Sequence, residues 1–369
     1  MKEKIAVIFG GMSCEHDVSI ITGMQAVLAL EKSSKYEVVP IYVTTSGEFL
    51  TSEILKDVSR IKEFKELSPK FKKVSFFAGD NHLWDITKKR IRKLYKISCA
   101  LLATHGENGE DGSLQGLLKM CKIPQTSGSV LSQSVGMDKE VSKNMAVQCG
   151  ANVLPFEKFS ANQDISEILS KIDQKGDYPY VIKPNSLGSS IGVKLCENLP
   201  SLKDGLCLAF LFASEVLCER SAVDFCELNI ACVKLDGKII CSEIEKPKVW
   251  HEILTFEDKY ITKGKLKSAN GLKRECPANI SPQLKSEIEK TATVLYEKFK
   301  LSGIVRFDFI YENEILYFNE VNTIPGSLSN YLFASKFSFS ELLEKVVAES
   351  IKNGQQLQKL EYYYSTSIF

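Results

Sequence analysis

Between residues 303 and 322 the chain places an arginine, two carboxylates and an amide on strands otherwise rich in apolar and aromatic residues. Residues 303–311 and 315–322 read as two strands joined by Glu312-Asn313-Glu314. A turn centred on Asn313 sets Arg306 opposite Glu320 and Asp308 opposite Phe318. The period of two then gathers Arg306, Asp308, Glu320 and Asn322 on one face. The other face, Val305, Phe307, Phe309, Tyr311, Ile315, Tyr317 and Val321, is core. Aligned carboxylates repel and need cations. Asp308, Glu320 and the Asn322 amide oxygen are hard donors suited to Mg²⁺, with phosphate and water oxygens completing the shell. The plainer alternative is an Arg306–Glu320 salt bridge on a solvated face, which the apolar residues between them disfavour.

A second segment, Val181-Ile182-Lys183-Pro184-Asn185-Ser186-Leu187-Gly188-Ser189-Ser190, delivers a lysine on a buried strand into a Gly/Ser loop. Such a loop exposes backbone N–H groups and hydroxyls that can cradle phosphate oxygens. A plain β-turn with a snorkelling lysine is the competing account. The common nucleotide motifs are missing: no G-x-G-x-x-G, no P-loop, no His-Arg-Asp. Residues 245–276 form a long stretch of little periodicity with eight Lys/Arg against five Asp/Glu. A long basic loop in a compact domain is a candidate lid over a polyphosphate, with disorder as the alternative.

The elements that must hold these groups begin with a strand at 4–9, a helix at 18–30 capped by Ser13 or Asp17, and strands at 36–43 and 97–103. A helix at 111–120 follows. This β-α-β order predicts an α/β domain with a parallel sheet and helices on both faces. The basic stretch 56–96 reads as a solvated insertion with some helix. A boundary falls near residue 130. Beyond it come a helix at 137–149, strands at 180–183, 191–195 and 215–219, and a helix at 199–212. Asp236-Gly237 joins strands 226–235 and 238–243 as a hairpin, and helices at 281–299 and 338–351 close the chain. The expected division is 1–130, 131–225 and 226–369.

Composition narrows the class. The 369 residues carry 47 Lys+Arg and 46 Asp+Glu, a net charge of +1, which disfavours a protein that coats nucleic acid or an anionic membrane. No apolar run reaches the roughly 18 residues of a membrane span, and the N-terminal apolar run is too short for a secretory signal. The eleven cysteines form no CxxC and the four histidines no HExxH, so reduced cytoplasmic thiols are expected rather than disulfides or zinc.

Seven blocks, in order, carry a resemblance. They are Phe9-Gly10-Gly11-Met12-Ser13-Cys14-Glu15-His16-Asp17-Val18-Ser19, the run His105 to Gly112, Met137-Asp138-Lys139, the loop from Lys183 to Gly192, Asp258-Lys259-Tyr260, Arg306-Phe307-Asp308, and Asn319-Glu320-Val321-Asn322-Thr323-Ile324-Pro325-Gly326. Together they resemble the D-alanine–D-alanine ligases of the ATP-grasp superfamily, over residues 4–351. The resemblance implies an N-terminal Rossmann-like domain followed by two α+β domains that clamp ATP. It implies a reaction in which ATP phosphorylates the carboxylate of one D-alanine and the amine of a second displaces phosphate, for peptidoglycan precursor synthesis. ATP and two Mg²⁺ (with Mn²⁺ able to substitute) are the implied cofactors, D-alanine the substrate, and a homodimer the common assembly.

Carried over by position, Lys139, Lys183 and Lys259 hold ATP phosphates, Glu219 and Glu227 hold adenine and ribose, and Asp308, Glu320 and Asn322 ligate magnesium. Glu15 grips the first ammonium, linked to Ser189 and Tyr260. His105 lies near the reacting carboxylate, and Arg306 with the Gly326 N–H forms the oxyanion hole. On residue physics alone, Glu15 is a favourable charge at a helix N-terminus and His105 a satisfied loop histidine. Two positions depart from the pattern: Met12 replaces a common threonine, and Tyr331 stands where a serine often binds the second substrate's carboxylate, with Ser327 or Ser329 as substitutes. The rivals are a D-alanine–D-lactate ligase, which Tyr260 disfavours, another ATP-grasp carboxylate–amine ligase, and a nucleotide-binding regulator with a dead site.

Overall fold

The computed structural model describes residues 2–247, 261–262, 265–266, 274–357 and 359–361. β1 (Glu3–Gly10) is apolar and fully buried from Ile5 to Phe9, as a central parallel strand must be. It lies parallel to β2 (Tyr36–Val43) on one side and β7 (Cys99–Leu102) on the other. The helix His16–Leu30 packs on β1 so closely that a Cβ at Gly23 would stand 2.3 Å from the Phe9 side chain. Neither expected cap is the N-cap of this helix. That position is Glu15; Asp17 falls inside the first turn, and Ser13 Oγ accepts the Glu15 N–H.

The stretch 56–96 is no solvated insertion. After short helical turns, β4 (Lys72–Phe77), β5 (Asp80–Asp85) and β6 (Arg92–Lys96) extend the sheet through β3 (Phe49–Thr51) in the order β6-β5-β4-β3-β2-β1-β7. Val74, Phe76 and Leu83 turn inward while lysines and other polar side chains face out, so the abundant charge hid an alternating pattern. Parallel pairing therefore covers three of the seven strands, and the other four are antiparallel.

A small antiparallel sheet follows, β10-β9-β11-β8, made of β8 (Phe156–Ser160), β9 (Tyr180–Pro184), β10 (Lys194–Cys196) and β11 (Glu215–Arg220). Helices Ile165–Asp173 and Leu199–Phe210 cover it and close its own apolar cluster. The strand expected at 191–195 begins only at Lys194, because Ser189, Ser190 and Gly192 hold positive φ and keep the chain in turns.

The third sheet has the order β16-β13-β12-β17-β18. It consists of β12 (Cys226–Leu235), β13 (Lys238–Pro247), β16 (Arg274–Glu275), β17 (Ile304–Glu312) and β18 (Ile315–Asn322); β14 (Ile261–Thr262) and β15 (Lys265–Leu266) pair with each other. β16 pairs with Lys246 and Pro247 at the end of β13, so the expected lid segment leaves and rejoins one edge. Helix Pro282–Lys298 buries one face with Ile230, Phe307, Phe309 and Phe318. On the other, Ala231, Val233 and Ile304 share a single apolar cluster with the first sheet and helix Phe339–Leu357. All eleven cysteines are free, and the Cys232 and Cys241 sulfurs approach to 3.5 Å across β12 and β13. Among the described residues no helix is long and apolar enough to cross a membrane.

The β17–β18 hairpin corrects the expected register. Its turn has two central residues, Asn313 and Glu314, both at positive φ, with Glu312 opposite Ile315. A bulge after Asp308 then adds Asn319 to β18. Arg306 consequently faces Asn322 and Asp308 faces Glu320, rather than Glu320 and Phe318. The two-residue turn sets the alternation of β18 up to Phe318, and the bulge inverts it beyond that point. Leu316 and Phe318 fill the core, while Ile315, expected inside, is exposed, and Tyr317 packs in a separate small cluster with Ile310.

Candidate active site

Four polar residues stand in register across the third sheet: Glu320 opposite Asp308, Asp308 opposite Asn229, Asn229 opposite Glu245. They share the face that carries Arg306. Arg306 donates from Nε to Asp308 Oδ1 at 2.6 Å and from Nη2 to Oδ2 at 2.7 Å, and Asn322 Nδ2 donates to Oδ2 at 3.0 Å. The alternative Arg306–Glu320 bridge is thus replaced by a bidentate pair within one strand. Burial pushes the Asp308 carboxyl up, against the pull of Arg306. For Glu320 burial also acts upward, but Lys139, Lys183 and Arg306 outweigh it and hold the group low, hence ionised.

The lysines arrive from two elements. Helix Lys139–Gln148 sets Lys139 and Lys143 one turn apart on one face. Lys139 Nζ donates to the Leu187 carbonyl at 2.5 Å and stands 3.6 Å from Glu320. Lys183, on β9, reaches Asn319 Oδ1 at 3.2 Å. Glu219, on β11, takes Lys143 at 2.5 Å on one oxygen and Lys183 on the other. All three are buried. Burial pushes Lys143 down to about 8, and the two lysines hold Glu219 low against its own burial. Glu227 is half-buried near the start of β12, opposite Ile310.

Glu15 ends the turn after β1, where open α/β sheets place ligands. Its Oε1 accepts the Ser189 hydroxyl, so the sequence-expected link between these two distant residues is formed. Its Oε2 is buried and has no hydrogen-bond partner among the described residues. A Cβ at Gly106 or Gly188 would stand 2.8 or 3.0 Å from this carboxylate, so the two glycines keep the space beside it open. Lys139 and Glu320 act on the same carboxylate, which makes this corner continuous with the lysine and Asp308 groups.

His105 and Gly326 meet through Thr22. The Thr22 hydroxyl shares a hydrogen bond with His105 Nε2 at 2.8 Å and accepts the Ser327 N–H at 3.0 Å, with Gly326 opening the turn Gly326–Phe333. Burial pushes His105 down to about 4, so the ring is neutral at pH 7. The folded value lies below the ordinary 6.5, so the unfolded chain binds the extra proton first. His105 therefore favours folding above pH 6.5, and about 3 kcal/mol of that is lost as pH falls through 4. Urea unfolding of wild type and His105→Gln between pH 7 and 4 should show this as a difference in slope, because the raised Glu110 carboxyl tilts the total the other way. An unchanged slope would place the imidazole in contact with water.

Four residues the sequence reading passed over belong here. Lys143 was legible as the helical neighbour of Lys139. Glu110 accepts the Gly106 and Ile324 N–H groups, each at 2.9 Å, tying the first unit to the end of β18, and burial pushes it up to about 8. Glu245 and Asn229 continue the polar row, and only the sheet register reveals them. Lys259 and Tyr260 lie outside the described residues.

Two family models match the chain, the D-ala D-ala ligase N-terminus over residues 4–128 and the D-ala D-ala ligase C-terminus over 145–348. A D-alanine–D-alanine ligase of Thermosipho melanesiensis is 34% identical over 93% of this chain and 92% of its own. One from Geobacillus thermodenitrificans is 30% identical over 99% and 100%. Among solved structures, the D-alanine–D-alanine ligase of Coxiella burnetii superposes with a TM-score of 0.80 at 23% identity, covering 97% of this chain and 96% of that one, a likeness of fold. A D-Ala:D-Ser ligase of Enterococcus faecalis gives 0.78 at 27%, covering 95% and 100%. With both halves matched in order and relatives aligned along nearly the whole length, this chain belongs to the D-alanine–D-alanine ligase family.

Proposed function

We propose that the protein joins two D-alanines at the expense of ATP, and that the groups described above divide the work. As a member of this family it is an ATP-dependent ligase. The observation that carries the site assignment is the Glu15 carboxylate, buried with one oxygen unpartnered among the described residues and walled by two glycines. An amino acid's ammonium group is the cation such an oxygen would accept. Ser189 fixes the carboxylate, and the neighbouring Lys139 and Lys183 supply positive charge where phosphates must approach.

Glu320, Asp308 and Asn322 fit Mg²⁺: they are hard oxygen donors, and two facing carboxylates lose their repulsion to a cation. Among the described residues no cluster of three or more His, Cys, Asp or Glu could hold a metal alone, which leaves most of the shell to phosphate and water. Bound there, the ion would neutralise phosphate charge. Lys139 and Lys183 orient the phosphates, while Arg306 and the Gly326 N–H face the oxyanion formed when the amine attacks. Glu219 holds the two lysines in place, and Glu227, Lys259 and Tyr260 take the ATP and lid roles implied by position. Neutral His105 braces the Gly326 turn through Thr22.

Incubation with ATP and Mg²⁺ plus D-alanine, L-alanine, or D-alanine with D-lactate or D-serine tests this. ADP release and a D-alanyl-D-alanine mass are expected with D-alanine, and neither with L-alanine. ADP release indifferent to D-alanine would overturn the reading, and a mixed product formed in preference would move the protein to a depsipeptide or D-serine ligase.

A further inference from the structure

The polar row has two halves, and the phosphate chemistry occupies one. Glu320, Asp308 and Arg306 serve the phosphate side; Asn229 and Glu245, the next residues in register, have no task yet. Strands in a sheet lie about 4.8 Å apart, so Glu245 is about 10 Å from Asp308 on the same face. It is 5% exposed, which for a carboxylate demands donors, and it has three. Tyr331 donates its hydroxyl to Oε1 at 2.8 Å, Asn229 Nδ2 stands 3.3 Å from the same oxygen, and Arg274 Nη1 lies 3.4 Å from Oε2.

These donors come from three places in the chain. Arg274 is where the chain rejoins the sheet, and its guanidinium stacks over the Tyr331 ring at 4.2 Å. Tyr331 lies five residues beyond Gly326 in the same turn. Arg306 feels both Tyr331 and Glu245. One carboxylate thus ties the returning end of the expected lid segment to the turn that carries the Gly326 N–H, beside the guanidinium of the reaction centre. Two buried donors and acceptors at this spot, Arg274 Nε and Asn229 Oδ1, have no hydrogen-bond partner among the described residues. A buried polar wall whose Arg274 Nε and Asn229 Oδ1 are unpaired among the described residues suits a zwitterionic amino acid better than it suits a packed core.

We propose that Glu245 is a positioning residue for the second amino acid: it holds Tyr331 and Arg274 as the wall of the acceptor pocket and so sets acceptor affinity. The inference rests on the ligase reading. Its chemistry explains why a tyrosine can stand where family members use a small hydroxyl residue. Glu245 and Arg274 hold the phenol in a fixed orientation, and its OH is committed to Glu245 rather than to substrate.

Glu245→Ala, Glu245→Gln and Tyr331→Phe, each checked for an unchanged circular dichroism spectrum and melting transition, test the assignment. Initial rates over a wide D-alanine range give separate constants for donor and acceptor, and hydroxylamine trapping reports acyl phosphate formation. Glu245→Ala and Tyr331→Phe should raise the acceptor KM about tenfold, the scale of one lost buried hydrogen bond, with donor KM and acyl phosphate trapping unmoved. Glu245→Gln, which keeps an acceptor oxygen for Tyr331, should recover most of the loss. Acceptor constants within twofold of wild type, or equal shifts in both constants, would overturn the role of Glu245. Absence of D-alanine-dependent turnover in the wild type would instead overturn the ligase reading beneath it.

Discussion

Arg306→Ala should cut kcat by about a hundredfold or more, as loss of an oxyanion donor does. The guanidinium spends two of its five N–H donors on Asp308 and keeps others for the reacting oxygen. Arg306→Lys should not rescue, because an ammonium cannot hold both Asp308 oxygens and reach forward as well. Single-turnover measurements on folded variants separate this loss from weaker ATP binding. Near-normal turnover of Arg306→Ala would reduce the residue to a partner for Asp308.

Glu219→Ala carries the second large effect, this time on stability. It strands Lys143 and Lys183, both buried, without the carboxylate that neutralises them. Breaking a buried ion pair on one side costs about 3–5 kcal/mol. The loss should depend on pH. Lys143 already sits near 8, below its ordinary 10.5, so between those values the unfolded chain binds more protons and stability rises with pH. Without Glu219 the penalty at pH 6 should exceed that at pH 9, where Lys143 sheds its proton. Denaturant melts at the two pH values decide it: an equal, small loss at both would mean that water reaches the lysines. Glu219→Gln should be milder and should weaken ATP binding more than it weakens the fold.

Much of this site was legible because it rests on local rules. The alternation of Arg306 with Asp308 and of Glu320 with Asn322 put each pair on one face of its own strand; the inserted Asn319 is what brings the two pairs to the same face. The lysine at the end of a buried strand announced Lys183. What could not be read was anything set by one inserted residue or by distant pairing. The bulge at Asn319 has no compositional mark, yet it decides which residue Asp308 faces, just as a turn one residue shorter than expected sends Ile315 to the surface. Glu245 looked like the first residue of a loop; it is a ladder position, and only the pairing of β12 with β13 shows its neighbours. The charge of 56–96 concealed three strands because outward lysines dominated the composition while the inward residues numbered only a few.

The outer sheets share one apolar cluster, whereas the small sheet of β8 to β11 keeps another. Prising the outer sheets apart would expose that common core to water at about 25 cal/mol for every Å² uncovered. The contacts joining the small sheet to its neighbours are a small apolar cluster of Leu154, Ala222 and Ile310 and a set of polar links. They include Ser189 with Glu15, Lys143 with Glu219, Lys183 with Asn319 and Arg220 with Glu312. Water can take over polar links of this kind, as it cannot for apolar surface. Parting the outer sheets would therefore uncover more apolar surface than lifting the small sheet away, which leaves the two outer sheets as one frame.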